Sequence, residues 1–159
     1  MFLCLLIAIP GIKFAKQLET YKVKRELLAE YAEKRIRVIG NLWTQSYEYE
    51  NICHDIIENT LEKTAREWKG NRQDLAGNIQ IKISPQIEQL KKHRGEIFDE
   101  LDAHRSLIGE DLYKRFYEFV LNQQLIIIAK MLHDEKGLKE LESKIMLAQE
   151  DIFRYVDDL

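Results

Sequence analysis

IKFAKQLETYKVKRELLAEYAEKRIRVIGNLWTQSYEYENICHDIIENTLEKTAREW, residues 12–68, is the stretch that decides the fold. Apolar or small side chains follow three- and four-residue steps along it, at Leu18, Tyr21, Leu28, Ala32, Ile39, Leu42, Ser46, Tyr49, Cys53, Ile56, Thr60 and Thr64. That recurrence predicts a helix keeping one face covered. No proline interrupts it, and Gly40 permits a bend without requiring a break. At about 1.5 Å per residue the helix runs roughly 85 Å, longer than a domain of this size is wide. Part of it is therefore expected either to project as a stalk or to break near Gly40-Asn41.

The surrounding chain fits such a helix. A length of 159 residues suits one domain and is enough for a core without disulfides or metals. The 45% hydrophobic and 32% charged content excludes disorder. Two prolines and seven glycines leave little punctuation, so few and long elements are expected. Cys4 and Cys53 are far apart, with no ligand spacing between them, which fits a reducing cytoplasmic setting.

Charge is distributed unevenly. Residues 13–37 hold eight basic residues (Lys13, Lys16, Lys22, Lys24, Arg25, Lys34, Arg35, Arg37) and four acidic ones (Glu19, Glu26, Glu30, Glu33), a local net of +4. Because the whole chain carries −3, the remainder carries −7. A basic segment beside an apolar head fits an anionic membrane surface better than nucleic acid. The plainer alternative is a solvated helix with pairs such as Glu30-Lys34.

The head is Phe2-Leu3-Cys4-Leu5-Leu6-Ile7-Ala8-Ile9, followed by Pro10-Gly11. Counted to Ile12 it covers about 18 Å as a helix, against roughly 30 Å of hydrocarbon, so it is too short to cross a bilayer alone. It lacks the positive start and small-residue cleavage site of a secretory signal. Three readings stand: the second half of a membrane span, a wedge in one leaflet, or a piece of core. For a span, Lys13 and Lys16 lie at the interface, and the positive-inside rule places the rest in the cytoplasm.

Further along, Gly70-Asn71 reads as a helix stop with Gly in the left-handed position. Residues 72–84 read as loop plus a short helical or extended piece, because Ile79, Ile81 and Ile83 alternate with polar residues. Ser84-Pro85 reads as a helix start. The second helix then runs to about Arg105 with Ile87, Leu90, Ile97, Leu101 and His104 inward, and Gly95 suggests close approach of another helix. After a connection at residues 106–109, Glu110-Asp111 opens a third helix ending near Leu132. Its run Leu125-Ile126-Ile127-Ile128-Ala129 marks either the most central helix or a self-association surface. A turn at residues 133–137 precedes a last helix with a heptad seam at Leu138, Leu141, Ile145, Ala148, Ile152, Tyr155 and Leu159. Short connections imply antiparallel neighbours.

Three features together, the apolar head, the basic stretch with Tyr31-Ala-Glu-Lys-Arg-Ile-Arg-Val-Ile39, and His104-Arg-Ser-Leu-Ile-Gly-Glu-Asp-Leu-Tyr113, carry a resemblance. The layout is similar to a loose class of small bacterial proteins with one N-terminal membrane span and a cytoplasmic helical bundle. The resemblance implies a layout and no reaction, since most of that class has no assigned activity.

For chemistry, His93, Glu96, Glu100 and His104 share one stripe of the second helix, and Glu50, His54 and Glu58 one stripe of the first. Facing each other, they would form a carboxylate and imidazole site, although neither stripe has the Glu-x-x-His spacing of di-iron bundles. The Arg and His pattern of the helical ribonucleases of the higher eukaryotes and prokaryotes nucleotide-binding class is absent, as are phosphate-binding glycine loops and serine elbows. Trp43, Tyr47, Tyr49 and Trp68 follow core spacing, and the acidic body disfavours a nucleic-acid backbone. Acidic clusters at Asp99-Glu100-Asp102 and Glu150-Asp151 read as solvated faces.

The sequence thus predicts an all-α, antiparallel bundle of about four helices with a very long first helix. Residues 1–12 form an apolar N-terminal segment, a partial span or anchor, and residues 13–159 the bundle. The expected function is that of a non-catalytic, membrane-tethered interaction or scaffold module, its helical domain in the cytoplasm. Its partners are expected to be the membrane, through the N-terminus, and a protein or second copy at the helix faces; nucleic acid is not expected. No catalytic, cofactor-binding or metal residue is assigned. The alternatives are a soluble metal protein or enzyme using the His/Glu stripe, and a soluble helical subunit of a larger complex.

Overall fold

The computed structural model describes residues 2–70, 72–132 and 135–157, helical apart from short joints at residues 68–70 and at Gly109. It falls into two compact units, Met1–Arg37 and Val38–Leu159. Helix α1 (Phe2–Asp55) passes into a π-helical stretch (Ile56–Glu62) and a last α turn, α2 (Lys63–Glu67). Three more helices follow, α3 (Arg72–Ile108), α4 (Glu110–Leu132) and α5 (Glu135–Asp157).

Within Val38–Leu159, side-chain pairs give the topology. Glu48, Thr60 and Thr64 meet His93, Gln86 and Lys82 respectively, so partner numbers fall as the first helix advances. The first helix and α3 are therefore antiparallel. Phe98 stacks on Tyr117 at 4.5 Å and Tyr113 donates to Asp102, which makes α4 antiparallel to α3. Glu50 with Gln123 and Glu62 with Lys130 advance together, so α4 runs parallel to the first helix. Trp43 with Phe153 and Glu50 with Gln149 reverse again for α5. The result is an up-down-up-down four-helix bundle.

The core follows the helical stripes. Ile39, Leu42, Tyr49, Cys53 and Ile56 from the first helix meet Ile83, Leu90, Ile97 and Leu101 of α3, Leu112, Phe116, Phe119 and Ile127 of α4, and Ile145, Ala148 and Ile152 of α5. Each large apolar side chain so buried contributes on the order of 1.5–3 kcal/mol. The seam expected in the last helix is seen at Ile145, Ala148 and Ile152, whereas Tyr155 and Leu159 fall outside the described side chains.

Several local expectations are corrected. The first helix does not break at Gly40; its irregularity comes later, as the π-helical stretch. There the adjacent pairs Ile56-Ile57 and Thr60-Leu61 are all buried, and the Lys63 amide bonds back to the Glu58 carbonyl, five residues earlier.

Residues 72–84 belong to α3, and Pro85 lies inside that helix instead of starting one. The Ser84 hydroxyl donates to the Gln80 carbonyl at 2.7 Å, so it is a wall contact and no cap. The three isoleucines are helical: Ile83 is buried, Ile79 packs against the core, and Ile81 is 78% exposed. Steps of four explain the first two, and the apparent alternation came from an isolated outward-facing apolar residue.

Among the described residues Gly109 alone has positive φ (+89°), so the left-handed joint is there and not at Gly70. The Gly109 amide donates to Arg105 and its carbonyl accepts from Tyr113, closing a one-residue connection between α3 and α4. At Gly70 the restriction is steric, because a Cβ would meet the Trp68 indole at 2.8 Å. Gly95 has no close neighbour: a Cβ there meets nothing within 4 Å, which removes the expected close helix approach. Of the turn expected at residues 133–137, His133 and Asp134 lie outside the described residues, and α5 is already formed at Glu135.

In Met1–Arg37, every described side chain from residue 16 to 34 is exposed, including Leu18, Tyr21, Leu27, Leu28 and Tyr31. The face expected to be covered along the whole first helix is covered from Val38 onward, and not at Leu18, Tyr21, Leu28 or Ala32. Among the described residues no helix is long and apolar enough to cross a membrane.

Candidate functional site

The first chemically distinctive place is a polar layer inside the bundle. Glu50 lies one residue from the buried stripe of Ser46, Tyr49 and Cys53, so its carboxylate reaches the edge of the core. Gln123 Nε2 donates to Glu50 Oε1 at 2.8 Å, and Gln149 Nε2 lies 3.4 Å from both carboxylate oxygens. Three helices are thus tied at one charged group. Burial raises the Glu50 carboxyl above the usual carboxylate range, against the pull of the Gln123 hydrogen bond and of His54. Gln123 is itself buried, so its amide depends on that partner.

Beside this layer the Tyr49 hydroxyl and Cys53 sulfur lie together in the core. Burial pushes the Cys53 thiol up to about 12 and raises the Tyr49 phenol as well. Both stay protonated at neutral pH, and a thiol so held is a poor nucleophile. The Ser46 hydroxyl is fully buried and makes no hydrogen bond among the described residues. Arg94 of α3 bonds the Gln124 amide oxygen of α4. These contacts staple helices.

A second polar cluster locks the α3–α4 joint. Arg105 grips Glu110 through two hydrogen bonds of 2.8 Å, while its guanidinium lies 4.5 Å over the Tyr113 ring. Tyr113 in turn donates to Asp102 at 2.8 Å. The Arg105 hydrogen bonds hold the Glu110 carboxyl below the usual range.

The histidine and glutamate stripes do not come together. His93 places Nδ1 3.4 Å from Glu96 and Nε2 3.9 Å from Glu48, so its two carboxylate neighbours lie on opposite edges of the ring. His104 pairs with Glu100 and His54 with Glu58, each at 3.4 Å along its own helix. Glu50 faces Gln123 and Gln149 instead. Among the described residues no group of three or more His, Cys, Asp or Glu is placed to hold a metal ion.

Sequence reasoning overlooked Gln123 and Gln149, although a signal existed. Phe116, Val120 and Ile127 step by four and seven, and Gln123 occupies the position between them that the seam requires. A polar residue in a seam position asks for a buried partner on a facing helix.

The third feature is the exposed part of α1. Leu18, Tyr21 and Leu28 are 56%, 78% and 69% exposed and lie on one side of the helix. Their three- and four-residue steps continue, in register, those of Ile39, Leu42, Ser46 and Tyr49, which are buried. One seam therefore has a covered length and an uncovered length. Leu125, Ile128 and Met131 form a smaller exposed apolar row on α4, while Ile127 and Ala129 of the same run are buried.

In comparison with known proteins, no family model, curated protein or solved structure matches this chain.

Proposed function

We propose that the protein is a non-catalytic helical interaction module held at a membrane by the N-terminal part of α1, with the bundle displayed in the cytoplasm. The observation that carries this reading is the division of a single helix. From Ile39 to Leu61 its stripe is buried in a core, whereas residues 16–34 expose six large apolar side chains among charged ones. Leu18, Tyr21 and Leu28, on one side of the helix, suit contact with a partly apolar environment. The apolar residues 2–9 precede it in the same helix, and the basic residues 13–37 suit an anionic headgroup layer. The layout is similar to that of a loose class of small bacterial proteins with an N-terminal span and a cytoplasmic bundle.

The polar contacts inside the bundle support a structural role, since each is directed at a neighbouring helix. Fractionation of cells expressing the chain, followed by carbonate and detergent extraction, tests the proposal. The account expects the protein in the membrane fraction, resisting carbonate and released by detergent. Recovery as a soluble species without detergent would remove the tether.

A further inference from the structure

Residues 16–37 sort their charges by side. At 100° per residue, Glu19, Glu26, Glu30 and Glu33 fall within an arc of about 60°. The opposite arc, about 160° wide, holds the cations Lys24, Arg35, Arg25 and Lys22, the apolar Leu28, Tyr21 and Leu18 among them, and no acidic residue. Its apolar centre is exposed, and lysines stand at both edges. The Arg37–Glu33 ion pair, at 3.0 Å, belongs to the acidic side.

We infer that this basic and apolar face lies flat on an anionic lipid surface, so that the tether of the preceding subsection, on which the inference rests, is a two-part contact. Charge decides the occupant. A second copy would bring Lys22, Lys24 and Arg25 against the same cations, with every carboxylate of the segment turned away. A negatively charged surface meets all three. Cations flanking an apolar stripe, with the acids grouped on the far side, is the arrangement of a helix lying in the headgroup layer. The two tyrosines, Tyr21 within the face and Tyr31 beyond Lys24, suit the interface as well. An apolar anchor joined to a basic patch holds a membrane more firmly than either contact alone.

The test is vesicle flotation of the full-length chain with phosphatidylcholine vesicles, with and without phosphatidylglycerol. Binding is expected to be stronger on the anionic vesicles and to weaken with salt. The double variant Lys24→Gln/Arg25→Gln should bind anionic vesicles on the order of 30-fold more weakly. Lys16→Gln/Lys34→Gln removes two charges from outside the face and should change binding much less. Equal loss in the two double variants, or equal binding to both kinds of vesicle, overturns the inference and leaves the tether standing. Absence of binding to either removes both. Concentration-dependent dimerisation abolished by Leu28→Asp, with no dependence on lipid charge, overturns the inference in favour of a second copy.

Discussion

The Glu50 carboxylate accepts a 2.8 Å hydrogen bond from Gln123, across 73 residues of sequence, at the edge of the bundle core. The pair fixes the rotation of the first helix against α4, because a slip of one residue would bury the charge without its donor. Its ionised form costs stability even so, since burial raises the carboxyl in the folded state alone. The folded protein binds the proton more tightly, so this group's contribution is lost as pH rises from the ordinary carboxylate value through the raised one. Glu50→Gln should therefore be as stable as the parent or more so at neutral pH, with a flatter profile above the ordinary carboxylate range. Glu50→Ala should lose about 1–3 kcal/mol by stranding Gln123. Urea melts across pH check both; a large loss in Glu50→Gln would contradict the assignment.

Cys53 supplies a chemical probe of the same core. With the thiol 1% exposed and pushed up to about 12, the native protein should react with a thiol reagent only through unfolding. Labelling at Cys53 in a Cys4→Ser background should be slow in buffer and complete in denaturant. Rapid labelling of the native chain would mean that the core is open there.

Two glycines should respond in opposite ways. Gly95 has open space at its Cβ position, so Gly95→Ala should stabilise the bundle by roughly 0.5–1 kcal/mol through helix propensity. Gly109 holds φ at +89°, so Gly109→Ala should destabilise it by about 1–2 kcal/mol. Thermal melts of the two variants should shift in opposite directions.

A matched pair along α1 tests the division of that helix energetically. Leu42 is fully buried and Leu28 is 69% exposed. Leu42→Ala should cost about 2–5 kcal/mol, whereas Leu28→Ala should stay within roughly 0.5 kcal/mol in the absence of membranes. Comparable losses would show that residue 28 is covered.

The fold was readable because its stripes are long. Ile39 to Thr64, Leu112 to Ile127 and Ile145 to Ile152 each repeat over enough turns for the 3.6 period to dominate. What misled was local. Ile81, an apolar residue facing outward, imitated a strand with its neighbours, and Pro85 looked like a boundary although a helix already flanked by tertiary contacts tolerates it. The π-helical stretch left no distinctive trace in the apolar spacing, since adjacent buried pairs such as Val38-Ile39 occur in regular helix as well. The continuous stripe of the first helix also concealed that it has two different surroundings, since period reports which side is apolar and says nothing of what covers it. The histidine stripe has the same limit: a shared side on one helix says nothing of whether donors from another helix reach the same point.

Hydrogen exchange along α1, measured on the full-length protein with and without anionic vesicles, addresses the central claim most directly. Strong protection is expected in residues 42–55 under both conditions, with weak protection in residues 16–34 that rises when vesicles are added. Equal protection along the whole helix without membranes, or no change in residues 16–34 on adding them, would contradict it.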